Sequence, residues 1–371
     1  MPDNELPAYV YDLAALRTHV AGIRAALPAG VELWYAAKAN PAEPLLHALA
    51  ETVDGIEVAS GGELAHVRSA APSARIAFGG PAKSDRELDA AVCAGVHRIH
   101  VESTHELRRL GMIAARHRTP ADVLLRVNPP VRFGPAALAM GGGPSQFGLD
   151  LDDVPTCLAI VRRDPWLRMA GIHAHLASGL AAADQVALAR QVVDWARTLP
   201  VAEVNIGGGM GVDYGSSTRF DWQTFGAGLR DILCAAPGLR LRLEPGRAVT
   251  AYCGWYAATV ADVKRSHGTV FAVVHGGTHH LRTPAAKGHD QPFDVLPVDR
   301  WDYPWPRPEV HGEPVTVAGQ LCTPKDVLAR HITVDRLRAG DRLVFGLAGA
   351  YAWHISHHDF LMHPKPTFHY L

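Results

Sequence analysis

Between Val31 and Leu243 short apolar runs alternate with longer stretches of helical periodicity, and this alternation constrains the fold more than any other feature of the chain. A strand that must cross back through a helix before the next strand begins returns parallel to the first. The apolar runs predict strands at Glu32–Ala37, Gly55–Val58, Arg75–Phe78, Arg98–Val101, Val123–Val127, Met169–His173, Glu203–Ile206 and Arg240–Leu243. The periodic stretches predict helices at Glu43–Val53, Gly62–Ala70, Asp85–Ala94, Thr104–His117, Asp153–Arg163, Ala182–Leu199 and Trp222–Cys234. Eight parallel strands in roughly 220 residues fit an α/β chain with a closed (β/α)8 barrel better than an open doubly wound sheet. After Pro245 the helical period fades. Runs such as Thr259–Val263, Val270–His275, Pro314–Val317 and Arg342–Phe345 then read as a mainly antiparallel β domain, which the strand-like Ala8–Asp12 can join from the other end of the chain. The expected division is a barrel over residues 26–248 and a β domain over 1–25 plus 249–371.

A chain of 371 residues has room for both. Its formal net charge of -1 gives no electrostatic reason to expect nucleic acid or an anionic membrane as partner. No apolar run approaches the ~20 residues needed to cross a bilayer. The start, Met1 to Leu6, lacks the basic and apolar regions of an export signal, so a cytoplasmic protein is expected. The five cysteines are scattered and odd in number, which reads as free thiols.

In a barrel of this kind chemistry sits where the strands end. Lys38 stands where the first apolar strand breaks into a turn. Its desolvated stem favours loss of the ammonium proton and imine formation with a carbonyl, whereas the bland reading is a snorkelling surface lysine. After the seventh strand comes Gly207-Gly208-Gly209-Met210-Gly211, a backbone able to bring several N–H groups close to an anion. After the eighth comes Glu244-Pro245-Gly246-Arg247, where Arg247 can add a charge-assisted pair to the same anion. His173-Ala174-His175-Leu176-Ala177-Ser178 follows the sixth strand, and its alternate side chains share a face, so His175 can lie against a ring and Ser178 can reach a phosphate. Two histidines at this spacing can also bind a metal, but no cysteine or carboxylate stands at ligand spacing nearby in the sequence, and no metal is expected.

These residues, in order, are where the chain resembles the fold-type III pyridoxal-phosphate decarboxylases, the group of diaminopimelate, ornithine and arginine decarboxylases. The resemblance extends over Tyr35-Ala36-Ala37-Lys38-Ala39-Asn40, Glu57–Leu64, Phe78–Lys83, Arg126–Pro129, Gln146–Leu149, His175–Ser178, the glycine run and Glu244–Arg247. It continues in Gly319-Gln320-Leu321-Cys322 and Gly349-Ala350-Tyr351. What it implies is pyridoxal 5'-phosphate on Lys38, with His175 stacked on its ring and Glu244 at its ring nitrogen. Ser178, Gly208, Gly209, Gly246 and Arg247 would cradle the phosphate. It further implies a homodimer in which each site takes Cys322, the proton donor, and Tyr351, a phosphate contact, from the second chain.

The chain departs from that group where a distal amine would be read. Thr323 follows Cys322 where the family carries an acid, and the run Val274-His275-Gly276-Gly277-Thr278-His279-His280 has no aspartate. Gln146 stands where the family usually has a lysine. Loss of acids argues for a substrate whose distal end is anionic. The Gly277–Pro284 run and the ending His363-Pro364-Lys365-Pro366 are similar to a siderophore branch of the family that decarboxylates citryl-diaminopropionate in staphyloferrin B assembly. His279, His280, Arg282 and Thr323 would then receive the distal carboxylates. Diaminopimelate decarboxylase is the main alternative. A racemase of the related barrel would want an arginine in place of Glu244, and an inactive regulator would not need Lys38, Glu244 and Cys322 together.

Overall fold

The computed structural model describes residues 5–371. It divides into two compact units. One comprises Arg17–Val212 with Arg219–Val249; the other comprises the described residues up to Leu16 with Asp213–Thr218 and Thr250–Leu371. Strand β1 (Ala8–Tyr11) belongs to the second unit, and the boundary falls inside helix α1 (Leu13–Ala26).

The first unit is a closed parallel barrel. Its strands are β2 (Val31–Ala36), β3 (Gly55–Val58), β4 (Ile76–Phe78), β5 (Arg98–Val101), β6 (Ala121–Arg126), β8 (Leu167–His173), β10 (Glu203–Asn205) and β11 (Arg240–Leu243). A two-residue antiparallel ribbon of β7 (Leu138–Ala139) and β9 (Ala177–Ser178) lies outside that ring. Each expected barrel strand is present to within a residue or two. They are easy to read because every residue of β3, β4 and β5 is buried, as parallel strands covered on both faces must be.

Between the strands run α2 (Glu43–Ala50), α3 (Gly61–Ala70), α4 (Asp85–Cys93), α5 (Thr104–His117), α6 (Val154–Arg163), α7 (Ala182–Ala196) and α8 (Trp222–Ala235). Four of these starts carry side-chain caps: Ser60 accepts from the Glu63 N–H, Ser103 from Glu106, Asp221 from Thr224, and Ser84 forms a reciprocal box with Glu87. Helix α1 escaped the sequence reading, although its buried Leu16, Val20 and Ile23 recur at helical spacing.

The second unit is built on one eight-stranded sheet. Strands β12 (Gly254–Ser266), β13 (Thr269–Val274), β14 (Phe293–Leu296), β15 (Glu309–Ala318), β16 (Val327–Arg338) and β17 (Arg342–Phe345) run in the order β14-β17-β12-β13-β15-β16. β1 joins this sheet, as the sequence suggested, pairing antiparallel with β12 and parallel with β18 (Thr367–Tyr370). Within this sheet the only other parallel pair among the described residues is β13 with β15. Neither short α9 (Arg247–Thr250) nor α10 (Thr283–Lys287) alters this frame.

At the end of the barrel where its strands begin, the interior holds charges. The Arg242 guanidinium lies 4.0 Å from the centre of the Trp34 ring and 2.9 Å from both Glu32 Oε2 and Glu203 Oε1. Arg98 donates twice to Glu203 Oε2, at 2.9 and 3.2 Å. Trp34 packs flat because Gly55 opposes it: a Cβ there would sit 2.5 Å from the indole. Burial alone pushes the Glu32 carboxyl up, but Arg242, the Trp34 N–H and Arg75 outweigh it and hold the group at about 2. A carboxylate depressed in the folded state stabilises it above the unfolded value and loses that contribution as pH falls toward 2. Arg242→Met removes the cation shared by Glu32 and Glu203, leaving half-buried Glu32 to Arg75 and buried Glu203 to Arg98. It is expected to cost about 2–3 kcal/mol in urea unfolding and to flatten the acid loss of stability between roughly pH 4.5 and 2. A cost under about 1 kcal/mol would show that these pairs do not hold the barrel floor.

Candidate active site

At the opposite end of the barrel the period-two alternation of the strands places a second set of polar side chains on the inner face, and these lack the charge balance of the floor. β2 runs into a single 3-10 turn, Ala37–Ala39, which lifts Lys38 to the mouth. Its Nζ donates to Glu57 Oε2 at 2.8 Å from near the end of β3, with the lysine partly exposed and the carboxylate buried. Glu244 follows the last residue of β11 and is 7% exposed. Asn205, at the end of β10, donates to its Oε1 at 2.6 Å. His100 of β5 and His173 of β8 stack with ring centres 4.3 Å apart beside the same carboxylate. Burial, then the charge of Glu57, raise the Glu244 carboxyl to about 8 against the opposing pull of Arg242, Asn205 and Lys38.

His175 lies two residues beyond β8. Its Nδ1 accepts the Gly208 N–H at 3.3 Å, and desolvation followed by Lys38 and Arg126 pushes the imidazole down to about 3. It is therefore a neutral ring at any physiological pH, protonated on Nε2. The glycine loop after β10 is packed too closely for any other residue. A Cβ on Gly207 would meet His175 at 2.6 Å, one on Gly208 the Glu244 carbonyl at 2.6 Å, and one on Gly209 the Ala177 carbonyl at 2.2 Å. Gly209 also has φ +99, which disfavours side chains. The Asn205 side chain accepts the Gly207 N–H and Gln185 donates to the Gly208 carbonyl, so the loop is pinned from both sides. Ser178 sits in β9, whose following Gly179 N–H bonds the Gly209 carbonyl. Gly246 and Arg247 open α9, where the Val249 N–H bonds the Gly246 carbonyl.

Two buried ion pairs brace this rim. Lys83 Nζ donates to Glu106 Oε1 at 2.5 Å and to the Gly80 carbonyl at 2.6 Å. Arg126 donates to Glu102 Oε1 at 2.6 Å, while Glu102 Oε2 accepts the Gly148 N–H at 3.0 Å.

The remaining expected site residues lie in the second unit. Cys322 is exposed in the loop between β15 and β16. Buried Asp326 organises that loop: its Oδ1 accepts the Thr278 N–H at 2.6 Å and its Oδ2 the Leu321 N–H at 2.8 Å. Gly277 and Gly319 leave the space that this carboxylate fills. Thr323 bonds back to the Leu321 carbonyl, and Tyr351 adopts φ +50 with its carbonyl accepting from Thr283. Arg282 is exposed, and the Ser356 hydroxyl accepts its backbone N–H at 3.1 Å. His280 is fully buried and meets the Tyr256 hydroxyl at one ring nitrogen and the Pro364 carbonyl at the other, both at 3.0 Å. His279 is equally buried and lies against it at a tilt, with ring centres 4.0 Å apart, and its ring centre is 5.3 Å from that of His363. Burial, then neighbouring histidines, lower the His279 imidazole to about 4.

The sequence reading thus named most of the barrel rim but missed Glu57, His100 and Asn205 as site residues, and Asp326 in the second unit. Each barrel residue sits one or two positions from a strand end on the inward phase, a signal present in the sequence. The reading that no carboxylate stands near His173 held along the chain but not in space, since the fold brings Glu244 beside it. An amine at the mouth, a tight glycine loop and a buried carboxylate make a donor set suited to an aldehyde-bearing, phosphorylated cofactor.

Comparison with known proteins agrees with that chemistry. Residues 13–251 match the family model described as pyridoxal-dependent decarboxylase, pyridoxal binding domain. A 2-[(L-alanin-3-ylcarbamoyl)methyl]-2-hydroxybutanedioate decarboxylase of Staphylococcus aureus is 39% identical over 98% of this chain and 93% of its own. The L-glutamyl-[BtrI acyl-carrier protein] decarboxylase of Niallia circulans is 33% identical over 98% of this chain and 88% of its own. Among solved structures, diaminopimelate decarboxylase from Helicobacter pylori complexed with L-lysine superposes with a TM-score of 0.87, covering 98% of this chain and 91% of that one at 23% identity. The barrel, its rim and these matches together place the chain in the pyridoxal-dependent decarboxylase family.

Proposed function

We propose that this enzyme decarboxylates an amino acid conjugate with an anionic distal part, the citrate amide of 2,3-diaminopropionate. The observation that carries this is the relation to the Staphylococcus aureus enzyme, whose name gives that molecule as substrate: a hydroxybutanedioate bearing an alanin-3-yl amide. The diaminopimelate decarboxylases are more distant, at 29% identity for the one from Bacteroides thetaiotaomicron and 34% for the one from Actinosynnema pretiosum. Thr323 beside Cys322 and the exposed Arg282 support the same sign of distal charge.

The barrel mouth fits pyridoxal phosphate: the Gly207–Gly209 backbone is closed to side chains, and a buried carboxylate stands where a cationic ring nitrogen would relieve its desolvation. The bound group would supply an electron sink for the pair released as CO2 departs. Lys38 is the residue proposed to carry it, with Glu57 holding the amine in place at 2.8 Å. The neutral face of His175 would stack on the ring without adding charge. Ser178, Gly208, Gly209, Gly246 and Arg247 would hold the phosphate, joined by Tyr351 of the partner subunit in a homodimer. Glu244 would keep the ring nitrogen protonated, and Cys322 of the partner subunit would return a proton to the product carbon. His279, Arg282 and Thr323 are proposed to read the distal carboxylates, with His280 behind them. Arg282 would make direct contact, while His280, both ring nitrogens engaged internally, would set the shape of the loop. No helix among the described residues is long and apolar enough to cross a membrane, and we place the enzyme in the cytoplasm with its small-molecule substrate.

Purified enzyme supplied with the cofactor should release CO2 from the citryl conjugate and not from diaminopimelate or ornithine; the reverse preference would overturn the substrate. Glu244→Gln should retain the cofactor yet lower kcat by roughly 10²–10⁴-fold, and near-normal kcat would remove its assignment. In Cys322→Ala, CO2 release or product protonation should slow by a similar order of magnitude, whereas unchanged turnover with the normal product would take the acid role from the thiol.

A further inference from the structure

His100 and His173 lie against Glu244 but have no part in the chemistry assigned so far. They are 1% and 5% exposed, and none of their four ring nitrogens has a hydrogen-bond partner. Buried polar atoms are seldom left in that state, so four in one stacked pair call for a role. The Nε2 of His100 is 3.5 Å from Glu244 Oε1, and the Nε2 of His173 is 3.6 Å from Oε2. Each ring therefore faces a different oxygen of one carboxylate, while Asn205 already donates to Oε1 at 2.6 Å.

The surroundings decide what the rings can offer. Burial, and then Arg242, Lys83, Arg126 and Lys38 around His100, hold that imidazole well below its ordinary value. Burial, then His100, Arg126, His175 and Lys38, do the same for His173. Both rings are uncharged, so each has one N–H to donate and one lone pair. Glu57 is the other acid facing the group, and it acts on Glu244 by repulsion.

We propose that His100 and His173 are positioning residues: as an uncharged stacked pair they donate Nε2–H to the two oxygens of Glu244 and lock its carboxylate as the anionic partner of the cofactor's ring nitrogen. This rests on the role proposed for Glu244. The separations are about half an ångström beyond a normal N–H···O bond, the looseness that sites show before the reacting group is bound. With Asn205 as its only close donor among the described residues, the carboxyl is raised by desolvation. Two further donors oppose that rise without importing a positive charge that would repel a pyridinium. A lysine or arginine at either position would hold the carboxylate anionic but would compete with the cofactor for it.

The test uses full-length holoenzyme reconstituted with pyridoxal phosphate labelled with 15N in its ring, and follows protonation of that nitrogen by its chemical shift between about pH 6 and 9. The His100→Phe/His173→Phe variant keeps the stacked rings and removes the donors. Its ring nitrogen should lose its proton at a pH lower by about one unit or more than in the parent, with cofactor still bound by absorbance. His100→Asn/His173→Asn restores an N–H donor to each side and should return the midpoint to within a few tenths of a unit. If the double phenylalanine variant does not fold, His100→Phe alone is read against His100→Asn. An unchanged midpoint in the phenylalanine variant, or an asparagine variant displaced as far as the phenylalanine one, overturns the proposal. Glu244→Gln separates the two readings. If it moves the midpoint and the phenylalanine pair does not, only the histidine role fails; if it leaves the midpoint in place, the role of Glu244 fails with it.

Discussion

Removing a carboxylate from water at the end of a barrel strand is costly unless something nearby is positive or donates hydrogen bonds. Glu244 is in that position, with Asn205 as a close donor and burial as the largest influence on its proton. The elements around it can be understood as responses to that one fact. β10 brings Asn205, β5 and β8 bring the two histidines, and the glycine loop is pinned against the Glu244 carbonyl so closely that no Cβ fits. A cationic ring nitrogen, which pyridoxal chemistry provides, is the partner proposed for this carboxylate.

The two ends of the same barrel show the contrast. At the floor Glu32, Glu203, Arg98 and Arg242 neutralise one another, and the Glu32 carboxyl stays at about 2. At the mouth the histidines are neutral, Glu244 rises to about 8, and Lys38 leans on Glu57. Structural ion pairs satisfy themselves, whereas a binding site leaves charge for its ligand to balance. The rim pairs Lys83–Glu106 and Arg126–Glu102 belong with the floor in this respect, since they fix loops and leave nothing over.

The barrel was legible because its strands are buried on both faces and separated by capped helices, so composition and period agreed at each step. The β domain was less so. β16 from Val327 to Arg338 alternates exposed and buried residues irregularly and includes Gly-free polar stretches that resemble a loop in sequence. Among the proposed site residues, those belonging to recognisable runs could be named from the sequence: Lys38, His175, the glycines, Glu244 and Cys322. Those acting singly, such as Glu57, His100, Asn205 and Asp326, were not. Each is one polar residue in an apolar strand or a glycine-rich loop, and its significance comes from what the fold carries to it from far along the chain. His280 shows what a sequence cannot display: a histidine in a run of candidate ligands has both ring nitrogens engaged inside its own unit.

The account depends on the amine of Lys38 being the point of attachment for pyridoxal phosphate. Loading the full chain with the cofactor, reducing with borohydride and mapping peptides by mass tests this directly. The account predicts a pyridoxyl mass on the peptide containing Lys38; an adduct on another lysine, or none at full cofactor loading, would contradict it.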